Sequence, residues 1–417
     1  MLKQTEGSHA IAEAVSLCRP EVICAYPITP QTHIVERLSE LARTGEIGNC
    51  QYINVESEFA ALSVAIGASA TGARAYTATS SQGLLFMTEA VYNAAGLGLP
   101  IVMTIGNRAI GAPINIWNDH SDSMALRDAG WIQFYAETNQ EAVDLHIQAF
   151  RLAEQLSVPV MVCVDGFILT HAYERIDIPE REQVEKYLPD FEPVQLLDPA
   201  APVTIGAMVG PEAFAEVRYL AHHKHLQAID IIPELSSEFS QVFGRDAGGL
   251  IKPYRTEDAE TVVIGLGSVM GTIKETVDEM RGDGVSIGAV SIISFRPFPM
   301  LALRSALEKA KRVIVVEKCF ADGLGGIVVG SVRMSLRGHS TPIYTVIAGL
   351  GGRAITQASL RRAFGDAVKD EIDEPHFLDL DWDVIDRELA RSQEERRSGP
   401  IAENILREMG LVGGKSV

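Results

Sequence analysis

Residues 25 to 30 read Ala25-Tyr26-Pro27-Ile28-Thr29-Pro30. A short apolar strand, Val22 to Ala25, runs directly into two prolines that bracket an Ile-Thr pair. Each proline fixes its own φ and pushes the residue before it out of the helical region. Tyr26 and Thr29 are therefore biased toward extended backbone, and the turn is stiff. A polar residue held at the carboxyl end of a strand is where open α/β sheets place their ligands. The competing reading is a plain strand-to-helix turn with Thr29 or Thr32 as an N-cap. These six residues alone leave both readings open.

The same strand-to-polar-turn pattern repeats outward from this point. Upstream, Ser8 to Leu17 reads as a helix with Ser8 as N-cap and Ala10, Ile11, Ala14 and Val15 as its apolar stripe. Downstream, a helix from Gln31 to Thr44 leads to strand Tyr52–Val55, which ends at Glu56-Ser57-Glu58. Helix Phe59 to Ser69 is apolar nearly all round and is expected to be buried. Strand Ala75–Ala78 ends at Thr79-Ser80-Ser81-Gln82-Gly83, and strand Pro100–Ile105 ends at Asn107-Arg108 and a long stretch without periodicity, 106–125. Strand Trp131–Ala136, helix Gln140–Gln155 and strand Val158–Val164 close the unit. Near-continuous apolar strands alternating with helices predict an α/β fold with a doubly wound, mostly parallel sheet. The turns at Thr29, Glu58 and Arg108 then converge on one rim.

Residues 166–256 are less regular and proline-rich, with a helix expected around Pro211–His223. The run His222-His223-Lys224-His225 reads as a solvated helix end, because adjacent residues do not share a helical face. A second, smaller α/β unit opens near Thr261, with strands Val262–Gly265, Ile287–Ser291, Val313–Val316 and Ile343–Ile347. Its Gly265-Leu266-Gly267-Ser268 turn is expected to serve close helix–strand packing rather than a nucleotide, since no acidic residue ends the next strand.

Composition excludes several classes. The 417 residues are 47% hydrophobic and 22% charged, with a net charge of 36 − 55 = −19. That balance argues against nucleic acid or an anionic membrane as partner, and no apolar run reaches the length of a membrane span. The five cysteines form no Cys-x-x-Cys pair, so neither a zinc site nor an iron–sulfur cluster is encoded by spacing, and no metal ligands are expected. Met1 to Gly7 has no apolar signal region, and a reducing cytoplasm is the expected compartment.

The chemistry available on the rim is one carboxylate, one guanidinium and one hydroxyl. Arg108, beside Ala109, Gly111 and Ala112, has a fork suited to the carboxylate of a small substrate; the alternative is a structural arginine paired to Asp119 or Asp122. Glu58 opens a helix and, buried against a ligand, could exchange a proton with a heterocycle. From the residues alone, the reading ends at a carboxylate-binding α/β subunit.

Several motifs, in order, resemble the α subunit of the 2-oxoacid:ferredoxin oxidoreductases. They are Tyr26-Pro27-Ile28-Thr29-Pro30, Glu56-Ser57-Glu58, Thr77 to Leu84, Asn107-Arg108-Ala109, Asn115 to Asp122, Phe295-Arg296-Pro297-Phe298-Pro299 and Gly349-Leu350-Gly351-Gly352-Arg353. The resemblance implies a thiamine diphosphate pyrimidine-side domain over 1–235, a linker over 236–257, a transketolase C-terminal-like domain over 258–370 and a charged tail over 371–417. It implies that Glu58 faces the aminopyrimidine ring, with Ile28, Ser81 and Gln82 also toward the cofactor, and that Thr29 and Arg108 hold the 2-oxoacid. The implied reaction joins pyruvate, coenzyme A and ferredoxin.

The resemblance also implies a divided enzyme. The thiamine diphosphate is shared with a beta subunit that carries the diphosphate–magnesium site, while gamma and ferredoxin-like delta subunits bring [4Fe-4S] clusters. Gly282-Asp283-Gly284 is no magnesium motif here, since no Asn follows it before Asn404. Alternatives are a branched-chain 2-oxoacid member of the same family and a non-catalytic scaffold subunit.

Overall fold

The computed structural model describes residues 2–394 and 399–411. Two mostly parallel sheets carry the molecule. The first has seven strands. In chain order, β1 (Leu2–Glu6) stands apart, and β2 (Val22–Ala25), β3 (Gln51–Asn54), β4 (Ala75–Thr79), β5 (Ile101–Asn107), β6 (Ile132–Tyr135) and β7 (Val160–Asp165) enter this sheet. β8 (Tyr173–Asp177) pairs antiparallel with β1 as a separate ribbon. The later strands are β9 (Ile251–Tyr254), β10 (Thr261–Gly265), β11 (Ile287–Ile292), β12 (Ser294–Arg296), β13 (Arg312–Glu317), β14 (Ile343–Ile347) and β15 (His376–Phe377). The first sheet runs β12-β6-β7-β5-β4-β2-β3 and the second β15-β14-β13-β10-β11-β9. Within these two sheets, among the described residues, only β12 and β9 run antiparallel to their neighbours.

The chain leaves β2 for edge strand β3, then returns to the other side of β2 as β4. That reversal is a topological switch point, and it opens a crevice beyond the carboxyl ends of β2 and β4. Four helices frame it: α1 (Gly7–Leu17), α2 (Thr32–Arg43), α3 (Glu58–Ala70) and α4 (Ser81–Phe86). Ile11, Val15, Ile34, Leu38 and Leu41 pack α1 and α2 on one face of the sheet, together with Leu145 and Phe150 of helix Asn139–Leu156. On the other face the core is continuous with the second unit. Leu62, Met103 and Trp131 share one cluster with Val262, Ile264, Val290 and Val315. Val263, Ile314 and Ala289 point to the opposite face of the second sheet, as the two-residue strand period requires.

Several expectations need correction. Ser8 is not the cap of α1, which begins at Gly7; its Oγ donates to the Thr170 carbonyl at 2.7 Å. Neither Thr29 nor Thr32 caps α2, whose N-cap position is Gln31. α3 is not buried all round: Phe59, Ser63 and Gly67 are exposed along one face.

The helix expected at 211–223 runs over Phe214–Phe243, across the boundary at 235 and through Pro233. Ala228, Ile232, Leu235, Phe239 and Phe243 recur every three or four residues and bury its second half, and this burial outweighs the proline's lost bond. The stretch expected as a linker, 236–257, therefore holds the end of that helix and β9. Likewise the expected tail opens with β15, which pairs with β14, and continues into helices Trp382–Glu394 and Ile401–Glu408. Of its charged run, Glu395 to Arg397 lie outside the described residues. Gly282-Asp283-Gly284 ends a helix, with Asp283 paired to Arg361. All five cysteines are buried and unbridged.

Candidate active site

The crevice is built on a buried carboxylate. Asp122, fully enclosed, accepts from the Ser81 N–H and the Arg108 N–H at 3.0 Å each, from Asn107 Nδ2 at 2.8 Å and from the Ser123 N–H at 2.7 Å. It thereby ties the end of β4 to the end of β5. Burial raises its pKa to about 6 against the pull of these four donors. Ser81 sits at φ +47°, a left-handed conformation that a non-glycine residue holds only when its surroundings enforce it. The Asp122 bond and a 2.6 Å bond from Ser81 Oγ to the Ala109 carbonyl do so.

Arg108 follows on the same scaffold. Its side chain is not paired to Asp119 or Asp122. Instead Nη1 donates to the Thr29 carbonyl at 2.8 Å, Nη2 to Gln82 Oε1 at 3.0 Å and Nε to the Asn115 carbonyl at 3.3 Å. The residue is only 9% exposed, and burial pulls its pKa below the usual arginine value while Asp122 opposes the shift. A guanidinium has five N–H donors. Three are engaged here, leaving one on each terminal nitrogen for a ligand.

Glu58 stands against Gly83 of α4. Ser57 caps α3 by accepting from the Ala60 N–H at 3.2 Å, which sets Glu58 in the first turn, 8% exposed. A Cβ on Gly83 would lie 2.7 Å from Glu58 Oε1 and 2.6 Å from Thr79 Oγ1. Only glycine lets α4 approach this closely. Among the described residues, Glu58 makes no side-chain hydrogen bond, and Thr79 Oγ1, Ser80 Oγ and Gln31 Oε1 are buried without partners. Buried polar atoms are normally paired, so this rim offers donors and acceptors to something outside the chain. Thr29 is exposed and Ile28 half-buried on the facing turn. The structure thus brings Thr29, Gln82, Arg108 and Glu58 around one crevice. Ser81 belongs to its frame, since its hydroxyl is engaged by Ala109.

The loop after Arg108 is braced by the second unit. Asn115 Nδ2 donates to the Gly351 carbonyl and the Gly351 N–H to Asp119 Oδ2, both at 3.0 Å. A Cβ on Gly352 would lie 2.3 Å from the Trp117 Cβ, so the glycine turn is cut to fit this loop. Deeper in the seam, Asp165 accepts from Lys318 Nζ at 3.1 Å and from the Ser268 N–H at 3.0 Å, and lies 2.7 Å from His120 Nε2. Burial alone would raise the Asp165 pKa, but Lys318 and His120 hold it far below the usual carboxylate range. The Gly265–Ser268 turn therefore serves the seam and close packing, with Met270 and Ile273 against Gly265. Asp165 and Lys318 have no signal in the sequence; Asp122 is expected there only as an ion-pair partner of Arg108, not as an acceptor from the backbone of Ser81 and Arg108.

Comparison with known proteins agrees with this architecture. A family model described as "Pyruvate flavodoxin/ferredoxin oxidoreductase, thiamine diP-bdg" matches residues 13–236, and "Pyruvate:ferredoxin oxidoreductase core domain II" matches 259–360. The pyruvate synthase subunit PorA of Methanosarcina barkeri is 45% identical over 389 residues, covering 91% of this chain and 97% of that one. The ketoisovalerate oxidoreductase subunit VorA of Pyrococcus abyssi is 42% identical over 370 residues, covering 88% and 93%. A solved 2-oxoglutarate:ferredoxin oxidoreductase from Magnetococcus marinus shares the fold at TM-score 0.66 and 19% identity, covering 89% of this chain and 65% of that chain. Among the described residues no helix is long and apolar enough to cross a membrane. The chain belongs to the pyruvate flavodoxin/ferredoxin oxidoreductase family and carries its thiamine diphosphate-binding domain.

Proposed function

We propose that this chain is the α subunit of a pyruvate:ferredoxin oxidoreductase (pyruvate synthase), interconverting pyruvate, coenzyme A and oxidised ferredoxin with acetyl-coenzyme A, carbon dioxide and reduced ferredoxin. The observation that carries the reading is the pairing, across one switch-point crevice, of an unpartnered Glu58 carboxylate with a buried Arg108 that keeps free donors. The residues fit the cofactor of the family: Thr79 Oγ1, Ser80 Oγ and Gln31 Oε1 lack partners among the described residues, and Gly83 lets α4 close on the unbonded Glu58 carboxylate.

Thiamine diphosphate, when bound, supplies the nucleophilic carbon and electron sink that cleavage of a 2-oxoacid requires. This chain's part is to place and tune. Glu58 would exchange a hydrogen bond and a proton with a ring nitrogen of the pyrimidine. The two free Arg108 donors take the substrate carboxylate, and Thr29 at the facing turn orients the oxo group. Thr29 and Arg108 move as one wall, because the Thr29 carbonyl is itself bound by Arg108 Nη1. Gln82 extends that wall by accepting from Arg108 Nη2, next in the chain to the Gly83 that packs on Glu58.

The enzyme works as a multi-subunit complex. A beta subunit completes the cofactor site with its diphosphate and magnesium ligands, and gamma and delta subunits carry the [4Fe-4S] clusters. Exposed Tyr26, Phe59, Phe86 and Ile114 in the segments around the crevice support burial against such a partner. The five cysteines, all buried and without cluster spacing, support housing the clusters elsewhere. A cytoplasmic location suits the reduced thiols. The similarity to a ketoisovalerate enzyme keeps a branched-chain 2-oxoacid as a second reading. Coenzyme A-dependent reduction of a low-potential dye by the native complex, with a panel of 2-oxoacids, separates the two. Pyruvate should show the highest kcat/KM; a preference for 2-oxoisovalerate would favour the second reading, and no turnover of any 2-oxoacid would refute both.

A further inference from the structure

We propose that Glu6, His33 and His171 form a binding site for a divalent first-row transition cation, with Zn2+ as its natural probe. The three residues are far apart in sequence and arrive from three elements: the end of β1, the first turn of α2 and the turn after β7. Glu6 Oε1 lies 2.6 Å from His33 Nδ1, and the three ligand atoms all lie within 4.8 Å of one another. Around a tetrahedral zinc with bonds of about 2.0–2.1 Å, ligand atoms stand roughly 3.4 Å apart. Closing the set needs shifts of about an ångström, and both imidazoles are only half-buried and able to make them.

Two further features favour an ion. His171 Nδ1 lies 2.7 Å from Thr170 Oγ1, which also accepts from the Phe167 N–H at 2.8 Å, and the Phe167 ring packs on the imidazole. Metal-binding histidines are oriented by such secondary hydrogen bonds. Glu6 is 5% exposed, and among the described residues its ion-pair partner is His33 at 2.6 Å, with no lysine or arginine beside it. A buried carboxylate calls for a cation, and a metal held by both imidazoles would supply a permanent one. Two imidazoles and one carboxylate, with the exposed side of His33 open to water, match the three-ligand pattern of a zinc site with a free position. The ion would join β1, α2 and the β7 turn directly behind the Thr29 turn, and so brace the wall that carries Thr29.

The test uses the full chain, stripped with chelator and titrated with Zn2+ by calorimetry, with Co2+ d–d absorption as a second readout. One ion should bind per chain with Kd below about 10 µM, and His33→Ala or His171→Ala should weaken it at least about 100-fold. Glu6→Gln should do the same. Zn2+ should raise the melting temperature of the wild type and leave these variants unmoved. His222→Ala/His223→Ala, which alters the separate histidine run on helix Phe214–Phe243, should bind as the wild type does. Binding weaker than about 100 µM, or binding unchanged in His33→Ala and His171→Ala, would overturn the site.

Discussion

Replacing Arg108 by leucine removes the buried guanidinium that bridges Thr29 and Gln82. Two effects follow, and they separate in kinetics. The substrate carboxylate loses two charge-assisted hydrogen bonds, each worth about 1.5–3 kcal/mol. Together they amount to roughly 3–6 kcal/mol, or a fall of about 10² to 10⁴ in kcat/KM at 1.4 kcal/mol per decade. Because the carboxylate is held in the ground state as well as the transition state, most of the loss should appear in KM. The Thr29 and Asn115 carbonyls also lose their donor, which loosens the turn and adds a smaller fall in kcat. Arg108→Lys keeps the charge without the fork and should lie between wild type and leucine. The assay is dye reduction by the reconstituted complex over a range of pyruvate concentrations, with thiamine diphosphate affinity measured in parallel. An unchanged KM in the leucine variant would show that the carboxylate binds elsewhere. A lost cofactor affinity would show that Arg108 serves the cofactor instead.

Glu58→Gln keeps the shape of the carboxylate but not its proton chemistry, so activity of the complex should drop by about 10² to 10⁴ while the cofactor still binds; full activity would point to a scaffold subunit. Lys318→Met leaves Asp165 buried with only His120 and Ser268 beside it and should cost about 3–5 kcal/mol in urea unfolding, with a raised KM because the Asn115–Asp119 loop is seated on the same seam. An unaltered KM would uncouple the seam from the site. Asp122 has a folded-state pKa of about 6 against 3.8 when exposed. Its contribution is therefore fully present below about pH 4 and lost as the pH rises through 6, some 3 kcal/mol in all. The stability of wild type relative to Asp122→Asn should fall by most of that amount between pH 4 and 7; a flat difference would contradict the raised pKa.

The parts of the site legible in the sequence were those written in strand-then-polar-turn order. Pro27 and Pro30 mark the end of β2, Glu56-Ser57-Glu58 follows β3, and Asn107-Arg108 closes β5. Parallel sheet topology places such ends on one rim whatever the details. The supports were not legible, because Asp122 meets Ser81 across 41 residues and Lys318 meets Asp165 across 153. Tertiary packing alone creates those pairs. Pro233 hid the second half of helix Phe214–Phe243, whose apolar period continues through it. In α3, uniform apolar composition concealed which face is covered: Leu62 and Ala65 are buried, while Phe59 and Ser63 are open.

In the proposed divided site, this chain holds one half of the cofactor pocket and a partner chain the other. Thiamine diphosphate binding to the purified chain, and to the chain combined with its beta partner, tests it directly by calorimetry in the presence of Mg2+. The isolated chain should show no binding tighter than about 1 mM, and the combination should bind at micromolar concentration or better. Tight, partner-independent binding to this chain alone would contradict the divided site.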